Sequence, residues 1–124
     1  MKYIEVILPM PPSVNCLFSG MKKRVKSKAY RDWILKANIG MGIWSNDKIS
    51  GNEWLNVTID YYFPLYTKKW EKKIKDTANY EKATIDYLCT KIDGLEDHRI
   101  KRITQEKHDS DKDIAIIKIN EIDD

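Results

Sequence analysis

The stretch Trp54 to Phe63 constrains the fold more than any other part of the chain, because its apolar residues alternate without a break. Leu55, Val57, Ile59, Tyr61 and Phe63 fall on one side of an extended backbone, and Asn56, Thr58, Asp60 and Tyr62 fall on the other. Such a run predicts a strand with one face turned into a core, and Pro64 stops it. Lys2 to Leu8 repeats the pattern more briefly, with Ile4, Val6 and Leu8 on one face, and ends at Pro9-Met10-Pro11-Pro12.

Two segments change to a helical period. Ser27 supplies a cap ahead of Tyr30, Trp33, Ile34, Ala37 and Met41, whose spacing puts one apolar stripe on a helix that ends near Gly40 and Gly42. Tyr80, Ala83, Thr84, Tyr87 and Leu88 predict a second helix over about Asn79 to Lys91, followed by a turn at Asp93-Gly94. A weak strand near Arg99 to Lys107 and a stronger one at Ile114 to Ile119 close the chain, joined by the polar turn Asp109-Ser110-Asp111-Lys112. The expected order is β-α-β-α-β-β. It describes an α+β single domain over residues 1–124, with two helices on a small mixed sheet. A chain of 124 residues suffices for one core and not for two.

No apolar run approaches the roughly 20 residues needed to cross a bilayer, and Met1 to Glu5 lacks a signal-peptide apolar region, so a cytoplasmic protein is expected. Cys16 and Cys89 stand far apart in no metal-ligand spacing and read as ordinary reduced thiols. The Lys-, Ile- and Asn-rich composition hints at an AT-rich genome, bacterial or phage. A net charge of +3 argues little by itself, but basic residues crowd into Lys22 to Lys28 and Lys68 to Lys75. These are either solvated loops or phosphate-contacting ones; the second reading gains from a basic loop that runs straight into the best acidic motif. Trp70, set between lysines, either stacks on an exposed base or packs over a sheet edge.

That acidic motif is Lys75-Asp76-Thr77-Ala78-Asn79-Tyr80-Glu81-Lys82, at a loop-to-helix junction. Asp76 there is either a helix N-terminal acid or a metal carboxylate. Asn79, Lys82 and Asp86, spaced by three and four, share a helix face that is not the apolar one, and the simplest role for Lys82 and Asp86 is a surface ion pair. A second acidic cluster, Asp93-Gly94-Leu95-Glu96-Asp97-His98, follows the helix. Carboxylates of this kind can hold Mg²⁺ for phosphodiester hydrolysis, and a nearby lysine can offset transition-state charge. A helix of this length spans roughly 18–20 Å, so the loop after Cys89 must fold back or the site must be completed across a subunit interface. His98 and His108 show no metal-ligand spacing and are expected at the surface or the edge of the core.

Taken in order, Pro11-Pro12-Ser13-Val14-Asn15, Val25-Lys26-Ser27-Lys28-Ala29-Tyr30-Arg31, Asp76-x-x-Asn79-x-x-Lys82-x-x-x-Asp86-x-Leu88 and Glu96-Asp97 resemble the successive motifs of RusA-like endodeoxyribonucleases, the Holliday junction resolvases. The resemblance spans nearly the whole chain. It implies a homodimer that binds four-way DNA junctions and cuts them symmetrically with Mg²⁺, Mn²⁺ substituting, and with no small-molecule cofactor and no membrane. Position by position, Asp76 and Asp97 match the family's metal-binding aspartates and Lys82 its catalytic lysine, with Glu96 a further oxygen ligand. Asn15, Lys23, Arg24, Lys26, Lys28, Arg31, Lys73, Lys75 and Asn79 are the expected DNA contacts.

One position departs from the family. The family commonly reads Asp-x-Asp-Asn where this chain reads Asp76-Thr77-Ala78-Asn79, and alanine cannot ligate a metal. Either Glu96, Asp93 or Asp86 makes up the acidic count, or the site is weakened, or the position has been altered to hold an inactive form. The alternative function is a branched-DNA-binding module with weakened or no cleavage. A third reading, a small interaction protein with incidental acidic loops, predicts no salt-sensitive DNA binding.

Overall fold

The computed structural model describes residues 3–13, 17–19, 25–40, 53–71 and 77–122. Among the described residues, six strands and two α-helices follow one another as β1 (Tyr3–Pro9), β2 (Phe18–Ser19), β3 (Val25–Lys26), α1 (Lys28–Gly40), β4 (Trp54–Phe63), α2 (Ala78–Lys91), β5 (Ile100–Asp109) and β6 (Ile114–Ile122). Four strands form one sheet in the order β1-β6-β4-β5. β4 runs antiparallel to β6 and parallel to β5, and β1 runs antiparallel to β6, so the sheet is mixed as expected.

The alternation of β4 decides which face is inside. Leu55, Val57, Ile59, Tyr61 and Phe63 are all buried. The register sets Val57 opposite Ile119, Ile59 opposite Ile117 and Tyr61 opposite Ala115; β1 continues the same rows with Ile4, Val6 and Leu8. Both helices lie over this face. Tyr80 packs its ring against Tyr61 at 5.6 Å and Phe63 at 6.2 Å between centroids. The Trp33 indole donates to the Pro9 carbonyl at 3.0 Å and meets the Tyr87 ring at 5.2 Å, tying α1 to β1 and to α2. Each large side chain buried here contributes about 1.5–3 kcal/mol.

Of the helical stripes expected from spacing, Tyr30, Trp33 and Ala37 on α1 and Tyr80, Ala83, Thr84, Tyr87 and Leu88 on α2 are buried, while Ile34 is half-buried against the core. Ser27 caps α1, its Oγ accepting from the Tyr30 N–H at 3.1 Å. Met41 and Gly42 lie outside the described residues.

Two features go beyond the sequence expectation. The first is strand order, which the sequence left open: β4 lies between β5 and β6, and the chain after Asp109 crosses the end of β4, where the Ser110 N–H donates to the Phe63 carbonyl at 3.1 Å. The reason is compositional. β6 is apolar on both faces, with Ile114 and Ile116 alternating with Ala115, Ile117 and Ile119, and takes an interior place; β5 is mostly charged and exposed, and takes an edge. The β4–β5 pair is parallel, and α2 provides the crossover that such a pair requires. The second is the short antiparallel pair β2–β3, which brackets residues 20–24 and is too brief to leave a period in the sequence. No described helix is long and apolar enough to cross a membrane.

Candidate functional site

The exposed side of α2 is built by helical spacing. Ala78, Lys82 and Asp86 stand four residues apart on one stripe, away from buried Tyr80, Ala83 and Leu88. The Lys82 ammonium donates to Asp86 Oδ2 at 3.0 Å, both side chains being about half exposed. The hydrogen bond and charge of Asp86 raise the pKa of Lys82, and Tyr30 and Asp97 add to the shift. Lys82 is therefore a stable cation and a proton donor, not a base. Tyr30 on α1 lies within range of the same pair: burial pushes its hydroxyl pKa up, and Asp86 pushes it further.

The loop after α2 folds back. The Ile92 N–H donates to the Leu88 carbonyl at 2.9 Å, and Gly94 takes φ 88°, a left-handed conformation that a Cβ disfavours. Leu95 is buried and donates to the Ile92 carbonyl at 3.2 Å, and a 3-10 turn at Asp97–Arg99 packs against α2. Arg99, only 9% exposed, holds the return in place. Its guanidinium donates to the Gly94 carbonyl at 2.7 Å and, through Nε and Nη2, to the Glu53 carbonyl at 3.3 and 3.0 Å. The acidic loop is thereby pinned to the start of β4. The outcome is electrostatic: Asp97 acts on Lys82, and Asp97, Asp86 and Glu96 together act on Cys89. The loop after α2 thus folds back within the chain far enough for Asp97 to act on Lys82; Asp76, at the other end of the helix, lies outside the described residues.

Cys89 is a free, partly buried cysteine. Burial first, and then these three carboxylates, push its thiol pKa up, which disfavours the reactive thiolate. Glu96 shares an oxygen with His98, whose Nε2 stands 3.1 Å away at the surface. Asp97 is exposed at the first position of the 3-10 turn.

Asp97 is thus within electrostatic range of Lys82, and Asp97 and Glu96 of Cys89. Asp76, Lys73, Lys75, Asn15, Lys23 and Arg24 lie outside the described residues, as does Cys16. Asn79 is half-buried in the first turn of α2, where the preceding Thr77 makes no side-chain capping bond. Lys26 is exposed, with its ammonium 5.7 Å from the Tyr30 ring centroid, and shares with Asp86, Tyr87 and Lys91 the lining of a cavity of about 300 Å³. Lys28 pairs with Asp32 at 2.6 Å, and Arg31 is exposed one turn further along α1.

Sequence reasoning treated Tyr30 as core and Arg99 as the start of a strand. Neither the place of Tyr30 beside the Lys82–Asp86 pair nor that of Arg99 beside the acidic loop leaves a mark in spacing. A further group sits on the other face of the sheet, where Asp60, Glu106 and His108 hold their ligand atoms within 4.8 Å of one another, the one such set of three among the described residues. His108 Nε2 is 2.9 Å from Asp60 and 3.2 Å from Glu106, and Tyr62 stacks on its ring at 4.6 Å. Asp60 alternates with buried Ile59 and Tyr61, so this group is separated from Lys82 by the sheet. Its signal was Glu106-x-His108 on one face of a strand, opposite Asp60 in a register that the sequence does not specify.

The chain matches the family model for endodeoxyribonuclease RusA over residues 9–120. No curated protein matches it.

Proposed function

The chain belongs to the RusA endodeoxyribonuclease family, Holliday junction resolvases that hydrolyse phosphodiester bonds, and from this we propose that it cuts four-way DNA junctions as a metal-dependent homodimer with Asp76, Asp97 and Lys82 at its active centre. The observation that supports the reading is the packing of the 3-10 turn that begins at Asp97 against α2, within electrostatic range of Lys82. Carboxylate oxygens are the hard donors that Mg²⁺ or Mn²⁺ prefers, and Mg²⁺ commonly takes only one or two of them from the protein, which fits the sparse acidic set. Asp76 and Asp97 hold the ion, with Glu96 as a further donor. When bound, it supplies Lewis-acid polarisation of the phosphate and acidifies a coordinated water.

Lys82 faces the scissile phosphate as a protonated donor and stabilises the charge that develops on its oxygens. To do so it exchanges Asp86 for phosphate. A half-exposed pair of this kind is worth only about 0–1 kcal/mol, so the exchange costs little. Ala78, one turn before Lys82 on the same stripe, favours a second reading in which the missing carboxylate slows cleavage and leaves a junction-binding protein. The sheet face turned away from the helices carries half-buried Ile7, Ile114, Ile116 and Tyr62, and a second copy seated there would cover them.

Lys26, Lys28 and Arg31, with Asn15, Lys23, Arg24, Lys73, Lys75 and Asn79, position the DNA through its backbone without reading sequence. Binding to a labelled four-way junction should accordingly weaken steeply with salt, each phosphate contact adding about 0.9 to the log-log slope. Arg31→Ala should lower that slope by roughly 1. A salt-insensitive affinity, or none, contradicts the proposal.

A further inference from the structure

The segment that links β4 to α2 holds a tryptophan in a backbone conformation that tryptophan avoids. Trp70 has φ 62°, in the left-handed region where its Cβ crowds the carbonyl oxygen. The turn around it enforces this. The Thr67 N–H donates to the Glu71 carbonyl at 2.8 Å, and the Trp70 N–H donates to the Thr67 carbonyl at 2.9 Å. Thr67 Oγ1 accepts from the Lys69 and Glu71 N–H groups at 3.2 Å each. The start of the segment is anchored on the sheet, where the Leu65 N–H donates to Asp109 Oδ1 at 3.0 Å.

Folding gains little from the side chain held there. The Trp70 indole is 80% exposed, and the described ring beside it, Tyr66, lies 6.2 Å away at an interplanar angle of 48° and is itself exposed. It does not pack over the sheet edge. A glycine would suit the turn better and forfeit almost no burial, so the fold does not account for a tryptophan at this position. Backbone strain enforced by a tight turn is commonly kept where it serves a site. Lys68 and Lys69 directly precede the indole, and a broad π face beside cations is the combination that single-stranded nucleic acid recognises. Thr77 is seven residue steps beyond Trp70, so at about 3.3–3.6 Å per residue the Trp70 backbone lies within roughly 25 Å of the start of α2. That is less than one turn of duplex DNA, about 34 Å.

We propose that Trp70 is a preformed stacking platform for a nucleobase left unstacked at the branch point, with Tyr66 beside it and Lys68 and Lys69 on the adjoining phosphates. The inference rests on the junction-cutting reading and adds to it the element that distinguishes a branch point from continuous duplex. Rigid presentation means that ordering of the turn is already complete before DNA arrives, which favours binding.

The test compares the full chain with Trp70→Gly, Trp70→Ala and Trp70→Phe on a labelled four-way junction and on a linear duplex of equal length, with melting temperatures measured alongside. The glycine and alanine variants should bind the junction about 5- to 150-fold more weakly, the effect of losing one base stack. They should lose less on the duplex, where no base is exposed, and the phenylalanine variant should keep most of the affinity. Trp70→Gly should melt at or above the parent, because it relieves the strain. A fluorescent base analogue placed at the branch should be quenched by the parent and not by Trp70→Gly. If the parent binds the junction and Trp70→Gly binds it equally well, or if the glycine variant loses thermal stability and affinity for both DNAs alike, the platform is refuted while junction binding stands. If the parent itself shows no salt-sensitive junction binding, the reading beneath the platform fails as well.

Discussion

Asp97→Asn should reduce metal-dependent cleavage of a four-way junction by about 10²- to 10³-fold, the scale on which removal of a principal charged group at a reaction centre acts. The substitution keeps the size of the side chain and its place at the head of the 3-10 turn, while removing the anionic oxygens that a hard cation needs. Because the lost charge is negative and the proposal sets it against the DNA backbone, junction binding without metal should be retained or tighten. A reduced rate with unimpaired binding is therefore the signature of a ligand, whereas loss of both would mark a residue that shapes the surface. Lys82→Met should lower the rate on a similar scale but leave metal affinity intact, since the proposal sets Lys82 on phosphate oxygens and not on the ion. Equal rates in the parent and Asp97→Asn, each measured also in an Ala78→Asp background, would remove Asp97 from the centre.

Arg99→Met is expected to be the most damaging single change to the architecture of the site. The guanidinium donates to the Gly94 and Glu53 carbonyls from a buried position, and methionine of comparable length leaves those oxygens without its donors. Hydrogen bonds from charged groups and the desolvation of orphaned carbonyls together predict a loss of about 2–4 kcal/mol in chemical denaturation. Cleavage should fall too, because the loop that brings Asp97 back along α2 loses its clamp. Arg99→Lys keeps the charge without the fork and should recover only part of the stability. Unchanged denaturation midpoints in Arg99→Met would show that buried Leu95 alone holds the return. Set beside Asp97→Asn, which should alter the rate and not the stability, this variant separates chemistry from support.

What could be read from the residues followed from periodicity. β4 announced both its extent and its buried face through Leu55, Val57, Ile59, Tyr61 and Phe63, and α2 did the same through Tyr80, Ala83, Thr84, Tyr87 and Leu88. Sheet order was not legible, because a strand chooses its neighbours in competition with every other strand. The apolar second face of β6, with Ile114 and Ile116, carried the clue that it belongs in the interior, yet a four-residue polar turn before it reads locally as a hairpin. Lys82 and Asp97 entered through family motifs. Their approach depended on whether the loop after α2 folds back, and that was decided by two residues whose roles are tertiary: Leu95, which seats the loop in the core, and Arg99, a charged residue that spacing alone places at the surface. Trp70 left two readings open in the sequence, and its exposure and positive φ close one of them. The Asp60, Glu106 and His108 group needed a parallel register between strands about forty residues apart, which no local pattern encodes.

The most direct measurement is cleavage of an end-labelled four-way junction against a linear duplex with Mg²⁺ and with Mn²⁺, using the parent chain and Ala78→Asp side by side. Symmetric incision of the junction and sparing of the duplex are expected, with Ala78→Asp at least as fast as the parent because it adds a carboxylate one turn before Lys82. If both proteins are folded and neither incises the junction with either ion, the assignment of Asp76, Lys82 and Asp97 to phosphodiester cleavage is contradicted.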